Sequence, residues 1–334
     1  MKKLLIPAVV LAAVMVATSL ARIRREGPAA PSAYASGAHR DQLYVEVSAL
    51  GNLDYFRDHK LGMKLAADAL GVRTEYVGPA EYDMQAMITA FEQTMARKDL
   101  KGIVVVGFEP ALIPIIDKAT AQGIPVVTVD ADLPTSKRVA FVGTGNYRAG
   151  QEGGRRLARL IGERGAVAIM TKAGQSNLEE RVRGYRDALA AYPSIRIAQI
   201  VDTQSDSVIA AQVATAALRK TPDLAGIACV EAAGGIGAAT AVKEAGLAGK
   251  VKIVAMDRGN DVLDLIGQGV ISATVVQRTV LMPLYATQIL YNLANHEAPI
   301  TTDNKAAGVS AAPSSIDTGV ILVDRENYRY FVRK

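Results

Sequence analysis

Two aspartates stand at the ends of long apolar runs. Asp130 closes Ile124–Val129, and Asp257 closes Val251–Met256. A carboxylate in such a place accepts hydrogen bonds, so the chemistry it suits is capture of hydroxyl groups. Runs that are apolar throughout fit strands buried on both faces, as in a parallel sheet covered by helices. In sheets of that kind ligands bind beyond the carboxyl ends of the strands. Two strands, each carrying a carboxylate to a mouth, imply a cleft that grips a polar small molecule. The same residues do not form a hydrolytic pair by any visible rule. Glycoside hydrolysis needs two carboxylates flanking one bond with opposed roles, and no spacing here selects such a pair. No catalytic constellation emerges, and the chain is expected not to be an enzyme.

Other chemistries find little support. Cys229 is the only cysteine and lies inside the apolar run Ile227–Val230, which suits a small buried hydrophobe. His39, His59 and His296 have no ligand-type cluster around them, so no metal site is expected. Gly235-x-Gly237-x-x-Thr240, with Asp257 further on, partly imitates a dinucleotide fingerprint. It sits late in the chain, however, and also reads as a glycine-rich helix start packed closely on its strand. Gly143-Thr-Gly145 lacks the Walker spacing, so no phosphate loop and no cofactor are expected. The net charge of +5 and pI near 9.2 could suggest nucleic acid. Residues 1–40 carry that whole excess in Lys2, Lys3, Arg22, Arg24, Arg25 and Arg40 against Glu26. The remaining body is neutral and has no electrostatic footprint for DNA or RNA.

The elements that would hold the aspartates alternate in type from Gln42 onward. Strand Leu43–Val47 precedes a helix over Tyr55–Leu70, stopped by Gly71, and a short strand to Val77. Met84, Met87, Ile88, Phe91 and Met95 recur at helical spacing and give one buried face. Strand Ile103–Val106, a helix through Leu112, Ile115, Ile116 and Ala119, and Ile124–Val129 follow. After Asn146 the alternation restarts with a helix over 147–161, strand Ala166–Met170, and a helix opened by a capping box at Ser176–Glu179. Strands at Ile195–Val201, Ile227–Val230, Val251–Met256 and Ile271–Val276 come next. The pattern predicts an α/β protein of two doubly wound parallel-sheet domains, changing over near Gly143–Asn146. A late helix over Leu284–Asn295 and a strand Thr318–Val323 cross back, so the hinge is expected to contain several strands. The first lobe is assigned residues 42–144 plus 278–306, and the second 145–277 plus 307–334.

The N-terminus reads as an address. Lys2 and Lys3 precede an uncharged stretch from Leu4 to Ala21, and Arg22, Arg24 and Arg25 follow. Residues 1–21 fit a signal peptide, with Ser19-Leu20-Ala21 as its cleavage site, or a retained membrane anchor. The arginines behind the stretch resist translocation and favour the anchor. Residues 22–41 read as a flexible linker rich in Pro, Ala, Gly and Ser. A periplasmic or otherwise extracytoplasmic location follows from either alternative.

A set of ordered signatures carries a family likeness over residues 42–325. These are Tyr55-Phe56, Gly123-Ile-Pro-Val-Val-Thr-Val-Asp130, Val142-Gly-Thr-Gly-Asn146, Arg181-x-x-Gly184-Tyr185, Val254-Ala-Met-Asp257 and Ala273-Thr-Val-Val-Gln277. The chain resembles the periplasmic sugar-binding proteins of ABC importers, the ribose-, allose- and galactose-type group with the type I periplasmic binding fold. Tyr76-Val-Gly-Pro79 and Asp130-Ala-Asp132 are also similar to the rhamnose and autoinducer-2 branch. The resemblance implies that Tyr55 and Phe56 stack on a sugar ring, whose C–H face is apolar. It further implies that Asp130, Asp132, Arg181, Glu231, Asp257 and Gln277 supply polar contacts, with a small sugar or polyol as ligand. A monomer that delivers its ligand to an ABC importer permease is the implied assembly. Ala131 and Glu231 depart from the ribose pattern, which has arginine and asparagine there, and argue against ribose itself. Three rival functions keep a similar core: a membrane-tethered sugar or autoinducer-2 sensor, a DNA-binding regulator, and a dinucleotide enzyme. The regulator needs a helix-turn-helix in front, where this chain has Leu4–Ala21 and a linker.

Overall fold

The computed structural model describes residues 39–52 and 55–333. The apolar runs form strands in two separate sheets. In chain order the first lobe contains β1 (Leu43–Val47), α1 (Tyr55–Leu70), β2 (Arg73–Val77), α2 (Met84–Met95), β3 (Leu100–Val106), α3 (Ile113–Ala121), β4 (Val126–Val129) and β5 (Ala140–Gly143). The second contains α4 (Asn146–Leu160), β6 (Gly165–Thr171), α5 (Ser176–Ala190), β7 (Ile195–Asp202), α6 (Ser207–Lys220), β8 (Leu224–Cys229), α7 (Ala232–Glu244), β9 (Lys252–Met256), α8 (Asn260–Gly267) and β10 (Ala273–Gln277). The chain then returns through α9 (Leu281–Asn295), β11 (Ser315–Asp317) and β12 (Val320–Asp324).

Strand order is β11-β5-β4-β3-β1-β2 in one sheet and β12-β10-β9-β8-β6-β7 in the other. The two sequences of neighbours are the same, so β4 and β9 hold equivalent places, as do β5 and β10. All pairings are parallel except that of β12 with β10. Two α/β domains on parallel sheets, as the alternation predicts, are what the chain forms.

Each sheet is buried on both faces because alternate residues of its strands point to opposite sides. Tyr44, Val104, Val106, Val127 and Val129 face Met63, Ala66, Met282 and Leu290 of α1 and α9. Their neighbours Val45, Val47, Ile103, Val105 and Val126 face Met87, Phe91, Ile115 and Ile116 of α2 and α3. Cys229 lies fully buried among Met170, Ala238 and Ala255 of the second lobe, and burial pushes its thiol well above the ordinary range. It is a packing residue.

The chain passes between lobes three times, at 143–146, 277–281 and 317–320, and these passages are bonded to one another. Thr144 Oγ1 donates to Gln277 Oε1 (2.8 Å), and the Thr318 amide donates to the Gly143 carbonyl (2.8 Å). Asp317 Oδ1 accepts from the amides of Gly145 (2.7 Å) and Gly319 (2.8 Å). One expectation needs correcting here. The strand read over Thr318–Val323 is β12, at Val320–Asp324, and a further short strand ahead of it, β11, joins the first sheet beside β5. Gly319, at φ +71°, makes the turn between them. Residues 315–317 therefore belong with the first lobe, not with the second as assigned from sequence.

A second correction concerns α5. Its N-cap is Gln175, with no side-chain cap bond, and Ser176 is already helical. What positions this helix is contact with α4. A Cβ on Gly184 would come within 2.1 Å of the Tyr147 carbonyl, and one on Gly150 within 2.0 Å of the Arg181 carbonyl. The glycine in Arg181-x-x-Gly184-Tyr185 thus lets two backbones touch and brings Arg181 to the hinge.

Candidate functional site

The site begins where β4 and β9 stop. Asp130 and Asp257 are each the first residue beyond these equivalent strands, and their φ angles are 65° and 67°. Both leave the sheet in the left-handed region, which aspartate tolerates better than most residues. Both stay pinned to the neighbouring strand. The Asp130 amide donates to the Val142 carbonyl (3.2 Å) and the Asp257 amide to the Val275 carbonyl (2.9 Å). The abrupt change of direction turns each side chain off the sheet, Asp130 to Tyr55 and Asp257 to Gln277. Backbone strain of this kind clusters at ligand sites.

Around the aspartates the side chains form a network of two hydrogen-bonded groups, one in each lobe's half of the site. Tyr55, at the start of α1, donates its hydroxyl to Asp130 Oδ1 (2.7 Å). Burial, then Asp130 and Asp257, raise the Tyr55 pKa well above its ordinary value, so the phenol remains a donor. Gln277, the last residue of β10, donates to Asp257 Oδ1 (2.9 Å). Its Oε1 accepts from Thr144 and from Arg181 Nη2 (3.1 Å). Arg181 is also held by the Asn146 side chain (2.8 Å) and the Val230 carbonyl (2.9 Å). Burial raises the Asp257 pKa; Arg181 and Gln277 oppose the rise, while Asp130 and Glu231 add to it.

A cavity of about 820 Å³ opens over this network, within the range of about 300–1,000 Å³ usual for small-molecule sites. Tyr55, Glu231, Met256, Asp257, Val276 and Gln277 line it, joined by Ser205, Arg258, Asn260, Thr279 and Arg333. Tyr55 and Asp257 come from different lobes, so the cavity lies between them. Among the described residues no group of His, Cys, Asp and Glu could hold a metal ion.

Of the eight residues named from sequence, Tyr55, Glu231, Asp257 and Gln277 line the cavity, and Asp130 lies behind Tyr55, whose hydroxyl donates to it. Arg181 lies behind Gln277, 4 % exposed, and orients it. Phe56 is 2 % exposed and belongs to the core of the first lobe, packed against Tyr55, His59, Tyr76 and Phe108. Its ring backs Tyr55 and does not line the cavity. Asp132 is engaged elsewhere: Arg138 grips its carboxylate through Nε and through Nη2 at 2.7 Å, and Thr128 donates to it at 2.8 Å. Glu231 lines the cavity, but its carboxylate caps α7. It accepts from the amides of Ala233 and Gly234 (both 2.8 Å) and from Thr203 Oγ1 (2.9 Å). That cap fills the place where a dinucleotide would set its pyrophosphate on the helix N-terminus. The glycines that follow serve packing: a Cβ on Gly235 would meet Ala255 at 2.8 Å, and one on Gly237 would meet Ala210 at 2.4 Å.

Sequence reasoning missed Ser205, Arg258, Asn260, Thr279 and Arg333. Arg258 had a visible signal, since it directly follows Asp257. Ser205 follows Gln204 in a loop where both adopt positive φ, 53° and 56° in chain order, and no residue type announces that. Arg333 lies far along the chain from every motif.

Comparison with known proteins agrees with this geometry. Residues 44–298 match the model of the periplasmic binding protein domain. The D-allose-binding periplasmic protein of Escherichia coli (strain K12) is 30 % identical over 234 residues, covering 67 % of this chain and 75 % of that protein. The solved structure of AraP, an arabinose-binding protein from Geobacillus stearothermophilus, is 34 % identical with a TM-score of 0.82, covering 88 % of this chain and all (100 %) of that one. A sugar-binding protein of a sugar ABC transporter from Bacillus halodurans matches at 34 % identity and TM-score 0.82, over 87 % and 100 % of the two chains. A cleft between two like-ordered sheets, lined by Tyr55 of one lobe and Asp257 of the other, and a domain match spanning both lobes lead to one statement: the chain belongs to the periplasmic binding protein family, whose members bind solutes.

Proposed function

We propose that this protein captures a small neutral sugar or polyol between its lobes and hands it to an ABC importer permease, without transforming it. The observation that carries this reading is an inter-lobe cavity lined by Tyr55 of one lobe and Asp257 and Gln277 of the other, with Asp130 holding the Tyr55 hydroxyl. A sugar ring has an apolar C–H face for Tyr55 and hydroxyls for Asp130, Asp257 and Gln277. Ionised acceptors strengthen those bonds relative to neutral ones. Glu231 serves as a wall and a helix cap in this scheme, and Asp132 stays outside the ligand shell. The relatives named for allose and arabinose support a pentose or hexose.

The protein is exported and works outside the cytoplasm as a monomer, with residues 1–21 as a signal peptide or anchor. Those residues lie outside the described part of the chain. Among the described residues no helix is long and apolar enough to cross a membrane.

A thermal-shift screen of pentoses, hexoses, deoxyhexoses, polyols and autoinducer-2 tests the assignment. The cognate ligand at 100 times its Kd adds about 2.7 kcal/mol to stability. A sugar or polyol is expected to raise the melting temperature clearly, and no response from any member of the panel would reject the reading.

A further inference from the structure

Asp58 lies on α1 of the first lobe, 5 % exposed, yet its main partners all come from elsewhere in the chain. Arg258 Nη2, in the loop after β9 of the second lobe, donates to both of its oxygens, at 2.7 and 2.6 Å. Arg333 Nη2 donates to Oδ2 at 2.9 Å, and Thr279 Oγ1, on the passage from β10 to α9, donates to the same oxygen. Burial opposes ionisation of Asp58, but Arg258, Thr279 and Arg333 together hold its pKa below the ordinary value.

Arg333 is itself anchored to the second lobe. Its amide donates to Asn260 Oδ1 (3.2 Å), while Asn260 Nδ2 donates to the Arg333 carbonyl (3.3 Å). Arg258 Nη1 donates to the Phe331 carbonyl (3.4 Å), and Tyr328 and Phe331 pack on the second lobe's core. One carboxylate of the first lobe therefore takes two guanidinium groups fixed to the second, beside the cavity that Arg258, Thr279 and Arg333 line. These bonds require the lobes to be together. Opening the cleft would break both ion pairs.

We propose that Asp58, with Arg258 and Arg333, is an inter-lobe latch that sets ligand affinity by holding a closed population before any sugar arrives. Apparent affinity scales with the fraction of protein already in the binding-competent state. Asp58 and both guanidinium groups are largely buried, so salt screens the latch much less than it screens exposed ion pairs. This inference rests on the reading of the cleft as a sugar site only for its affinity readout. Its distance readout needs no sugar.

The test uses the full chain with spin labels at Tyr82→Cys and Val208→Cys. Both positions are exposed, at 52 % and 64 %, and they flank the cleft after the equivalent strands β2 and β7. The native Cys229 is buried and does not compete for label. Without ligand, the labelled parent is expected to give a short distance that changes little as salt is raised. Asp58→Asn is expected to give a longer distance at all salt concentrations, and the Arg258→Ala/Arg333→Ala double variant to match it. Asp58→Asn should bind the sugar found by the screen roughly tenfold more weakly, in proportion to its loss of closed fraction. If Asp58→Asn and the parent give the same ligand-free distances, or if Asp58→Asn lowers the melting temperature without changing them, the group is an ordinary structural ion pair and the proposal fails. If the screen finds no sugar but the distances shift as stated, the latch stands and the sugar reading alone falls.

Discussion

Glu46→Ala is expected to destabilise the protein by about 3–5 kcal/mol, the cost of leaving one partner of a buried ionic pair alone. Glu46 lies in β1 and His59 in α1, both 0 % exposed, with Oε1 and Nδ1 2.5 Å apart. Burial works against a charged imidazole, but Glu46, then Asp130 and Asp58, outweigh it and raise the His59 pKa. A group whose pKa is raised on folding adds stability that is complete below its unfolded value, about 6.5. That contribution is lost as pH rises through the folded value. Urea melts of the parent should therefore show stability falling as pH rises above about 6.5, and Glu46→Ala should lack that slope. The Glu46→Leu/His59→Leu double variant should recover most of the loss, because an apolar pair of similar volume carries no desolvation cost. An unchanged midpoint in Glu46→Ala would show that the pair is not an energetic feature of the core.

Asp130→Ala and Asp257→Ala are each expected to weaken sugar binding tenfold to hundredfold. Truncation leaves ligand hydroxyls unpaired in a closed site, at about 1–3 kcal/mol apiece. The structure adds a term that the sequence did not show. Both residues occupy left-handed backbone, which alanine adopts at a cost of about 1–2 kcal/mol, so each alanine variant also loses some stability. Asp130→Asn and Asp257→Asn avoid that cost and separate affinity from folding. For Asp257 the sign reverses: its raised pKa means that its ionised form costs the ligand-free fold, so Asp257→Asn should melt slightly higher than the parent near neutral pH. Affinity in the parent should fall on acidification, beginning above the ordinary carboxylate range near 3.9 because the Asp257 pKa is raised. Calorimetry on the four variants beside melting curves decides the matter. Parent-like affinity in both alanine variants would put the site elsewhere.

What could be read in the sequence were features coded by local pattern. Apolar runs gave the strands, glycines gave the helix ends, and the position of Asp130 and Asp257 after such runs gave the two carboxylates of the proposed site. What could not be read depends on contacts distant in sequence. Asp132 has the residue type and spacing of a ligand group, yet Arg138, six residues on, captures it. Glu231 follows a strand as the aspartates do, but the helix that starts one residue later uses its carboxylate as a cap. Phe56 is adjacent to Tyr55, and on a helix adjacent residues face different ways; one ring meets the cavity and the other the core. The three-residue strand β11, just ahead of Gly319, is too short to show a pattern of its own. Asp58, Arg258 and Arg333 meet only because three passages of chain bring the lobes together.

The central claim is that a sugar is held between two lobes that close on it, and the labelled pair at Tyr82→Cys and Val208→Cys measures this directly. In the Asp58→Asn background, where the cleft starts open, saturating sugar is expected to replace the long inter-label distance by the short one. A distance unchanged at saturation, with binding confirmed by calorimetry in the same sample, would contradict the account.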